Sequence, residues 1–267
     1  MGFMSTRTAT AFARARSEGR PALMPYITAG DPPKPDLSTL IVGMADAGAD
    51  IIEIGIPFSD PIADGPVIAS AMFRSLEAGM TPAGVFAEVK KARATTDVAL
   101  VGMVSDSIVA HSDRARFVAQ AAEAGFDGLI VPDADTRDLG DLQAACETHG
   151  LTLTLLVAPM STPERQREIV KHSSGFIYLL ARAGVTGERQ EAPDIAGRIT
   201  ELRTLTDLPI GVGFGIATAE HVAAVGASAD GAIVGSALVR RLHEAHEAGE
   251  DVGAAARDFV KGLQSKS

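Results

Sequence analysis

The sequence predicts a single (β/α)8 barrel of the TIM type, an α/β fold with an extra N-terminal helix and an extra C-terminal helix. Three observations lead to this prediction. Eight short apolar runs alternate with amphipathic segments, as expected of parallel strands joined by crossover helices. The length of 267 residues suits one barrel domain over residues 1–267. A weak repeat of helix end, acidic residue and strand recurs at Ala47–Ile52, Ala124–Leu129 and Ser228–Ile233.

The predicted elements follow one another in a regular order. The eight strands are Leu23–Thr28, Asp50–Ile56, Val98–Val104, Gly128–Val131, Thr152–Ala158, Phe176–Leu180, Pro209–Gly213 and Ala232–Gly235. The helices between them include Leu37–Ala47, Pro82–Ala94, Asp113–Ala124, Leu139–Thr148, Pro163–His172, Pro193–Thr204 and Ala219–Val225. The extra helices are Thr8–Ser17, expected to plug the barrel from below, and Val252–Leu263, expected to cover it.

The composition excludes several classes of function. The formal net charge of −10 disfavours nucleic acids and anionic membrane surfaces as partners, because both bind basic faces. No run of about 18 apolar residues is present, so no membrane span is predicted. Cys146 is the only cysteine, which excludes an intrachain disulfide and favours a cytoplasmic location. The histidines fall on helices, and no Asp, Glu and His cluster has metal-ligand spacing, so the sequence predicts no metal site.

The second predicted strand carries the most informative residue. Side chains alternate between the two faces of a strand, so Glu53 shares a face with Ile51 and Gly55. Ile52 and Ile54 lie on the other face, toward the outer helices. Glu53 is therefore predicted to point into the barrel near the end that carries catalytic groups in this fold. Burial favours the uncharged form of a carboxyl group, which suits a proton donor and acceptor, and a structural glutamate held by backbone amides is the alternative.

A proline-rich loop follows this strand. The segment Pro57–Pro66 contains three prolines and a glycine in ten residues, a composition that prevents regular structure and stiffens the loop. It carries Asp60 and Asp64, and two acids beside a barrel carboxylate form a plausible acid–base constellation. Capping of the loop by its own aspartates is the alternative. Residue chemistry alone does not separate Asp60 from Asp64.

Glycines after the last three strands indicate an anion site. They occur in Gly184–Gly187, Gly213–Ile216 and Gly235–Ser236. Glycines let backbone N–H groups approach a ligand closely, and a helix N-terminus favours an anion. Loops after strands seven and eight are the usual phosphate site of this fold. The sequence therefore predicts a phosphorylated small molecule as ligand, with plain helix capping as the alternative role of Ser236.

Five motifs carry a resemblance to one family. They are Tyr26–Pro32, Glu53–Pro66, Arg182–Gly187, Gly213–Ile216 and Gly235–Ser236, and the likeness extends over about residues 8 to 264. In this order they resemble the α subunits of tryptophan synthases. The resemblance implies a TIM-barrel lyase of tryptophan biosynthesis that has no cofactor of its own. The implied reaction is the retro-aldol cleavage of indole-3-glycerol phosphate to indole and D-glyceraldehyde 3-phosphate.

The resemblance also implies roles for individual residues. Glu53 would protonate indole C3 and then accept a proton from the glycerol hydroxyl, and Asp64 would stabilise positive charge developing on the indole nitrogen. Tyr178 would line the site beside these acids. Arg182 and Thr186 would belong to a lid, although the composition of this segment is equally typical of a plain surface loop. The residues implied in phosphate binding are Gly187, Gly213, Gly215, Gly235 and Ser236. The candidate walls for the flat indole are Tyr26, Ile68, Ile130, Val157 and Phe214.

A partner follows from the same resemblance: the β subunit of tryptophan synthase, in an α2β2 assembly. Asp60 and Pro61, which face the partner in the family, are retained. Two other loops on that side depart from the family pattern. Val104–Asp106 stands where the family usually has Tyr-x-Asn, and Ala134–Thr136 stands where it usually has Leu-Pro. The implied catalytic residues are thus retained while part of the docking rim differs, which affects the prediction of partner affinity more than that of the reaction.

Three other hypotheses compete with this one. A stand-alone indole-3-glycerol-phosphate lyase of a specialised pathway would keep the chemistry and lack the partner. A non-catalytic activator of a β subunit would need neither Glu53 nor Asp64, so their presence argues against it. A different sugar-phosphate barrel, such as an isomerase, is disfavoured by the second-strand motif and the loop that follows it.

Overall fold

The chain forms a closed barrel of parallel strands in a computed structural model, which describes residues 6–61, 65–181, 195–213 and 215–264. The strands are β1 (Ala22–Thr28), β2 (Ile51–Gly55), β3 (Ala99–Met103), β4 (Gly128–Ile130), β5 (Thr152–Thr154), β6 (Leu156–Val157), β7 (Ile177–Leu180), β8 (Ile210–Gly213) and β9 (Gly231–Val234). Their order in the sheet is β5-β4-β3-β2-β1-β9-β8-β7-β6. Only Leu155 separates β5 from β6, so both ends of this order meet in one chain segment and the sheet closes. β5 and β6 together correspond to the predicted fifth strand, Thr152–Ala158, so the predicted TIM barrel of eight strands is confirmed.

Helices surround the barrel. They are α1 (Arg7–Ser17), α2 (Leu37–Asp46), α3 (Pro66–Glu77), α4 (Pro82–Arg93), α5 (Asp106–His111), α6 (Arg114–Ala124), α7 (Leu139–Thr148), α8 (Pro163–His172), α9 (Ala196–Arg203), α10 (Ala219–Gly226), α11 (Ser236–Glu247) and α12 (Val252–Leu263). Two of them, α3 and α5, are missing from the sequence prediction. Pro66 opens α3 directly after the proline-rich loop, and Ser105 caps the short α5 in a stretch expected to be a loop. None of the described helices is long and apolar enough to cross a membrane.

Alternation of side chains along the strands divides the core into two layers. Ile52 and Ile54 lie in the layer between sheet and helices, as predicted. Ile51 lies inside the barrel, in a cluster that also contains Phe12 of α1 and Phe176. The rings of Phe12 and Phe176 are 5.7 Å apart. Helix α1 therefore plugs the N-terminal end of the barrel, whereas α12 packs against α2 and α11 and joins the outer ring.

Three aspartates from the sequence repeat hold this lower end together. One aspartate directly precedes each of the strands β2, β4 and β9: these are Asp50, Asp127 and Asp230, respectively. Each accepts a hydrogen bond from a backbone N–H of the neighbouring strand. Each also pairs with two arginines, one from α1 and one from elsewhere in the barrel. The α1 arginines are Arg14, Arg7 and Arg16, respectively, and the others are Arg20, Arg93 and Arg203. Charge pairing thus adds to apolar packing in docking α1, a role for the repeat that its sequence alone does not reveal.

Candidate active site

Glu53 lies on the inner face of the barrel. The register pairs Glu53 with Tyr26 of β1 and with Val101 of β3. Residues paired in register on neighbouring strands point to the same face, and Val101 belongs to the interior cluster. The carboxyl group of Glu53 therefore faces inward, as the alternation along β2 predicts. It is fully buried, with 0% of the residue exposed.

Two tyrosines on the inner face lie over glycines of neighbouring strands. A Cβ atom on Gly55 would fall 2.7 Å from Tyr26 Cζ, and a Cβ atom on Gly213 would fall 2.7 Å from Tyr178 Cε1. Carbon atoms do not approach one another so closely, so only glycine leaves room for these rings. Both tyrosines are buried, and a hydrogen bond of 3.3 Å joins the hydroxyls of Tyr26 and Thr28.

Apolar side chains form walls near these rings. Ile68, Ala71 and Met72 of α3 pack with Tyr26, and Val239 of α11 joins the same cluster. This cluster places two of the predicted wall residues, Tyr26 and Ile68, side by side.

The predicted walls on the opposite strands divide between the two layers. Ile130 belongs to the interior cluster with Tyr178. Val157 lies in the outer layer, between sheet and helices, while its neighbour Leu156 packs on the interior cluster. Because successive side chains of a strand point to opposite faces, Leu156 and not Val157 is the candidate wall here.

The C-terminal ends of β8 and β9 carry the glycines expected to bind an anion. Gly215 has φ +77°, a left-handed conformation that favours glycine. Gly235 is the N-cap of α11 and Ser236 is its first helical residue. Gly235 has no side chain that could cap this helix, and Ser236 lies inside the helix, not at the cap position where its predicted alternative role would place it. The first N–H groups of α11 therefore sit at the C-terminal end of the barrel with no side-chain acceptor from the cap residue.

The remaining predicted residues add nothing to this geometry. Asp60 is exposed and accepts a hydrogen bond from the Ser59 hydroxyl at 3.0 Å, a local contact within its own loop. The residues Asp64, Arg182, Thr186, Gly187 and Phe214 lie outside the described part of the chain. Within the described ranges, no three His, Cys, Asp or Glu side chains form a group able to hold a metal ion.

A polar network joins the loops after β3 and β4. Asp133 accepts hydrogen bonds from the Ser105 hydroxyl at 2.7 Å and from the backbone N–H of Asp106 at 2.8 Å. Arg114 of α6 pairs with Asp106 at 3.1 Å and with Asp138 at 2.7 Å. Hydrogen bonding to Asp106 raises the pKa of Arg114. The network lies where the sequence departs from the family pattern, and it fixes the two loops to each other.

Comparisons with known proteins agree with this geometry. The family model described as "Tryptophan synthase alpha chain" matches residues 12–266. The tryptophan synthase alpha chain of Methanosarcina mazei is 46% identical, over 94% of this chain and 91% of its own length. That of Halorhodospira halophila is 42% identical, over 97% and 95%. Among solved structures, tryptophan synthase subunit alpha from Legionella pneumophila superposes with a TM-score of 0.87 at 33% identity, covering 97% of both chains. A chain of Mycobacterium tuberculosis tryptophan synthase gives 0.86 at 34% identity, again over 97% of both.

Proposed function

The chain belongs to the tryptophan synthase α chain family, and from that membership we propose how its own residues act. Like the family, it is a lyase of tryptophan biosynthesis that cleaves indole-3-glycerol phosphate to indole and D-glyceraldehyde 3-phosphate. The proposal concerns which side chains move the protons, which groups bind the phosphate, and which surface meets a partner.

Glu53 is the proton carrier in this proposal, and the observation that supports it is a fully buried carboxyl group on the inner face of β2. The carbon–carbon bond breaks only when the indole ring accepts its electron pair, so C3 must first gain a proton. Glu53 delivers that proton to C3. Its carboxylate then takes the proton of the glycerol hydroxyl beside the ring. As the O–H bond breaks, the aldehyde forms, and the electrons of the carbon–carbon bond return to the ring.

The remaining side chains stabilise this reaction. By the family resemblance, Asp64 is assigned to the positive charge that develops on the indole nitrogen after C3 is protonated. The rings of Tyr26 and Tyr178, together with Ile68, supply apolar walls that exclude water and strengthen the electrostatic interactions inside the site.

The substrate's phosphate is assigned to the loops after β8 and β9. The cap residue of α11 is Gly235, which has no side chain to cap the helix, and the N–H groups and dipole of the helix attract an anion. Gly213 and Gly215 on the neighbouring strand end add a backbone that a ligand can approach closely. This local attraction is compatible with the net charge of −10, because it depends on oriented backbone groups and not on the overall field.

Glu53→Gln tests the catalytic assignment, because it keeps the size of the side chain and removes the transferable proton. We expect indole release to fall by at least about 10²-fold with an unchanged circular dichroism spectrum. Glu123→Gln, on a side chain that is 77% exposed, is the matched control and should leave the rate unchanged. Near-normal release of indole by Glu53→Gln would remove Glu53 from the reaction.

The rim of the barrel is the proposed docking surface for a β subunit, with which the family works. Met160 follows β6 and is 82% exposed, so a large apolar side chain at this rim is available to a partner. Arg165 donates to the carbonyl oxygen of Ala134 at 3.2 Å, which joins the Met160 side of the rim to the loop after β4. The network around Asp133 then holds the loop after β3 in the same unit.

Indole release by the purified chain, with and without a tryptophan synthase β subunit, discriminates the subunit from a stand-alone lyase. Stimulation by the β subunit that is lost in Met160→Lys supports docking at this rim. High turnover of the isolated chain, unaffected by the β subunit, would favour the stand-alone enzyme.

A cytoplasmic location is part of the proposal and is supported by the single cysteine of the sequence.

A further inference from the structure

A buried ion pair joins the loop after β1 to α3. Arg74 donates from Nε to Asp31 Oδ1 at 2.8 Å and from Nη2 to Asp31 Oδ2 at 2.7 Å. The Asp31 side chain is 2% exposed and that of Arg74 is 32% exposed. Two parallel hydrogen bonds between a guanidinium and a carboxylate fix orientation as well as distance. Hydrogen bonding to Asp31 raises the pKa of Arg74, and the nearby charge of Glu247 on α11 acts in the same direction.

The next residue along α3 ties the same two segments together. The Ser75 hydroxyl donates to the carbonyl oxygen of Ala29. Gly30 leaves the space that this contact needs, because a Cβ atom there would lie 2.9 Å from Ser75 Oγ and 3.0 Å from the side chain of Met80. With Arg74 and Ser75 both attached to the loop after β1, α3 is prevented from sliding along the barrel.

The anchored helix carries a wall of the site. Ala71 and Met72 follow Ile68 by three and four residues, and Ser75 follows Met72 and Ala71 by three and four residues. Residues at these spacings share one face of a helix, so the same face of α3 carries both the Tyr26 contacts and the Ser75 tether. A change at the tethered end of a rigid helix therefore changes the position of Ile68 against Tyr26.

We propose that Asp31 and Arg74 are positioning residues for indole-3-glycerol phosphate. The pair fixes α3 relative to β1, and thereby sets the position of the apolar wall formed by Ile68 and Tyr26, which lines one side of the slot assigned to the indole ring. Neither residue touches the reacting atoms. This inference rests on the proposed function, because that function assigns the slot to indole.

A matched ion pair at the other end of the barrel provides the control. Arg20 and Asp50 have side chains that are 33% and 0% exposed, and Arg20 also donates two hydrogen bonds to one carboxylate. This pair lies with α1 at the N-terminal end, far from the slot. Lysine keeps the charge of either arginine and loses the two-bond geometry.

The test compares Arg74→Lys with Arg20→Lys in three ligand measurements, one of which is KM for indole-3-glycerol phosphate, and in stability. Calorimetric titration gives the affinity for indole, the product that has no phosphate and therefore reports on the slot only. Inhibition by D-glyceraldehyde 3-phosphate reports the phosphate side of the site. Urea unfolding reports stability, which both variants are expected to lower. In Arg74→Lys we expect affinity for indole to fall about tenfold, KM for indole-3-glycerol phosphate to rise by a similar factor, and inhibition by D-glyceraldehyde 3-phosphate to stay unchanged. Arg20→Lys should leave all three ligand measurements at the wild-type value.

Equal affinity for indole in the wild type and Arg74→Lys would overturn the inference, and so would equal weakening of both ligands. Should Arg74→Lys not fold, Ser75→Ala removes the second tether and should weaken indole in the same direction by a smaller factor. A wild-type protein that binds indole and releases none from indole-3-glycerol phosphate would refute the proposed function and leave the positioning result standing. A wild-type protein that does not bind indole would overturn both.

Discussion

The substitution Gly213→Ala tests whether Tyr178 determines the shape of the barrel mouth. The new Cβ atom would lie 2.7 Å from Tyr178 Cε1 and 2.8 Å from Cζ, where ordinary contacts begin at 3.4 Å. The ring carbons must therefore move by at least about 0.7 Å, and the hydroxyl oxygen, which lies nearer the new Cβ, by more, or the end of β8 must yield. Tyr178 is only 6% exposed and packs inside the barrel, so its ring can move only against its packed neighbours or into the proposed substrate site.

Overpacking of this kind costs about 1–3 kcal/mol in the free energy of unfolding. A loss of stability would differ in sign from the usual effect of this substitution. In an unstrained position, glycine to alanine stabilises a protein by about 0.4–1 kcal/mol, because alanine lowers the conformational entropy of the unfolded chain. For a chain of this size, each kcal/mol lost lowers the midpoint of thermal unfolding by about 2–4 °C. Indole release should also fall, because the displaced ring lies in the proposed site.

Urea unfolding followed by circular dichroism measures the loss of stability. Combining Gly213→Ala with Tyr178→Phe gives a double-mutant cycle that measures the coupling between the two positions. The hydroxyl oxygen is the atom nearest the new Cβ, so its removal should recover part of the loss. A coupling of at least about 0.5 kcal/mol between the two substitutions is expected. A Gly213→Ala variant as stable as the wild type, or strict additivity in the double mutant, would refute the reasoning from close packing.

Three further predictions concern other parts of the molecule. In Gly235→Val the Cβ atom meets Tyr26 only at 3.7 Å, so the unfolding midpoint should hold, while KM for indole-3-glycerol phosphate should rise about tenfold as the side chain crowds the N-terminus of α11; an unchanged KM would exclude this helix from the phosphate site. Burial opposes ionisation of Asp50, yet hydrogen bonds from Arg20 and a second arginine hold the pKa of this carboxyl below its usual range. The ionised Asp50 therefore contributes to the free energy of unfolding above the unfolded pKa of about 3.9, and this contribution is lost as the pH falls through the folded pKa. Asp50→Asn should accordingly flatten the acid limb of the plot of unfolding free energy against pH, and an unchanged limb would contradict this. Burial raises the pKa of Cys146 to about 12, so Ellman's reagent at pH 8 should label this thiol only after unfolding, and rapid labelling of the native chain would show that it is accessible.

The barrel itself is predictable because its signal is repeated eight times. Apolar runs of strand length alternate with amphipathic helices, and small errors at the ends of single elements do not alter the count. The inward direction of Glu53 is predictable for a related reason: one polar residue in an apolar strand identifies which alternate positions face the interior.

The error at Val157 has an instructive cause. A strand buried on both faces reads as a continuous apolar run, so hydrophobicity does not identify the inner positions. The signal was present in Thr152 and Thr154, whose side chains face glycines of neighbouring segments inside the barrel. Counting on by twos from these threonines leads to Leu156, the residue that packs on the interior cluster.

Long-range pairs are the part that local sequence patterns do not contain. Asp31 and Arg74 are 43 residues apart, and Arg7 and Asp127 are 120 apart. Periodicity and turn chemistry report neighbours along a helix or strand, whereas these contacts depend on how the whole barrel closes. The motif that contains Asp31 was visible in the sequence, but nothing local identifies its partner.

The two ends of the barrel differ in their electrostatics, although both are built from the same strand–helix units. At the N-terminal end, each of three aspartates is neutralised by two arginines and a backbone N–H, so the charges stabilise the plug α1 and offer little to a ligand. At the C-terminal end, α11 begins at a glycine, so the cap residue offers no side-chain acceptor to the first backbone N–H groups of this helix. In the proposed function, an acidic protein thus presents a phosphate site at one end, because three of its carboxylates are paired at the other end and glycine stands in place of a capping residue where the anion is assigned.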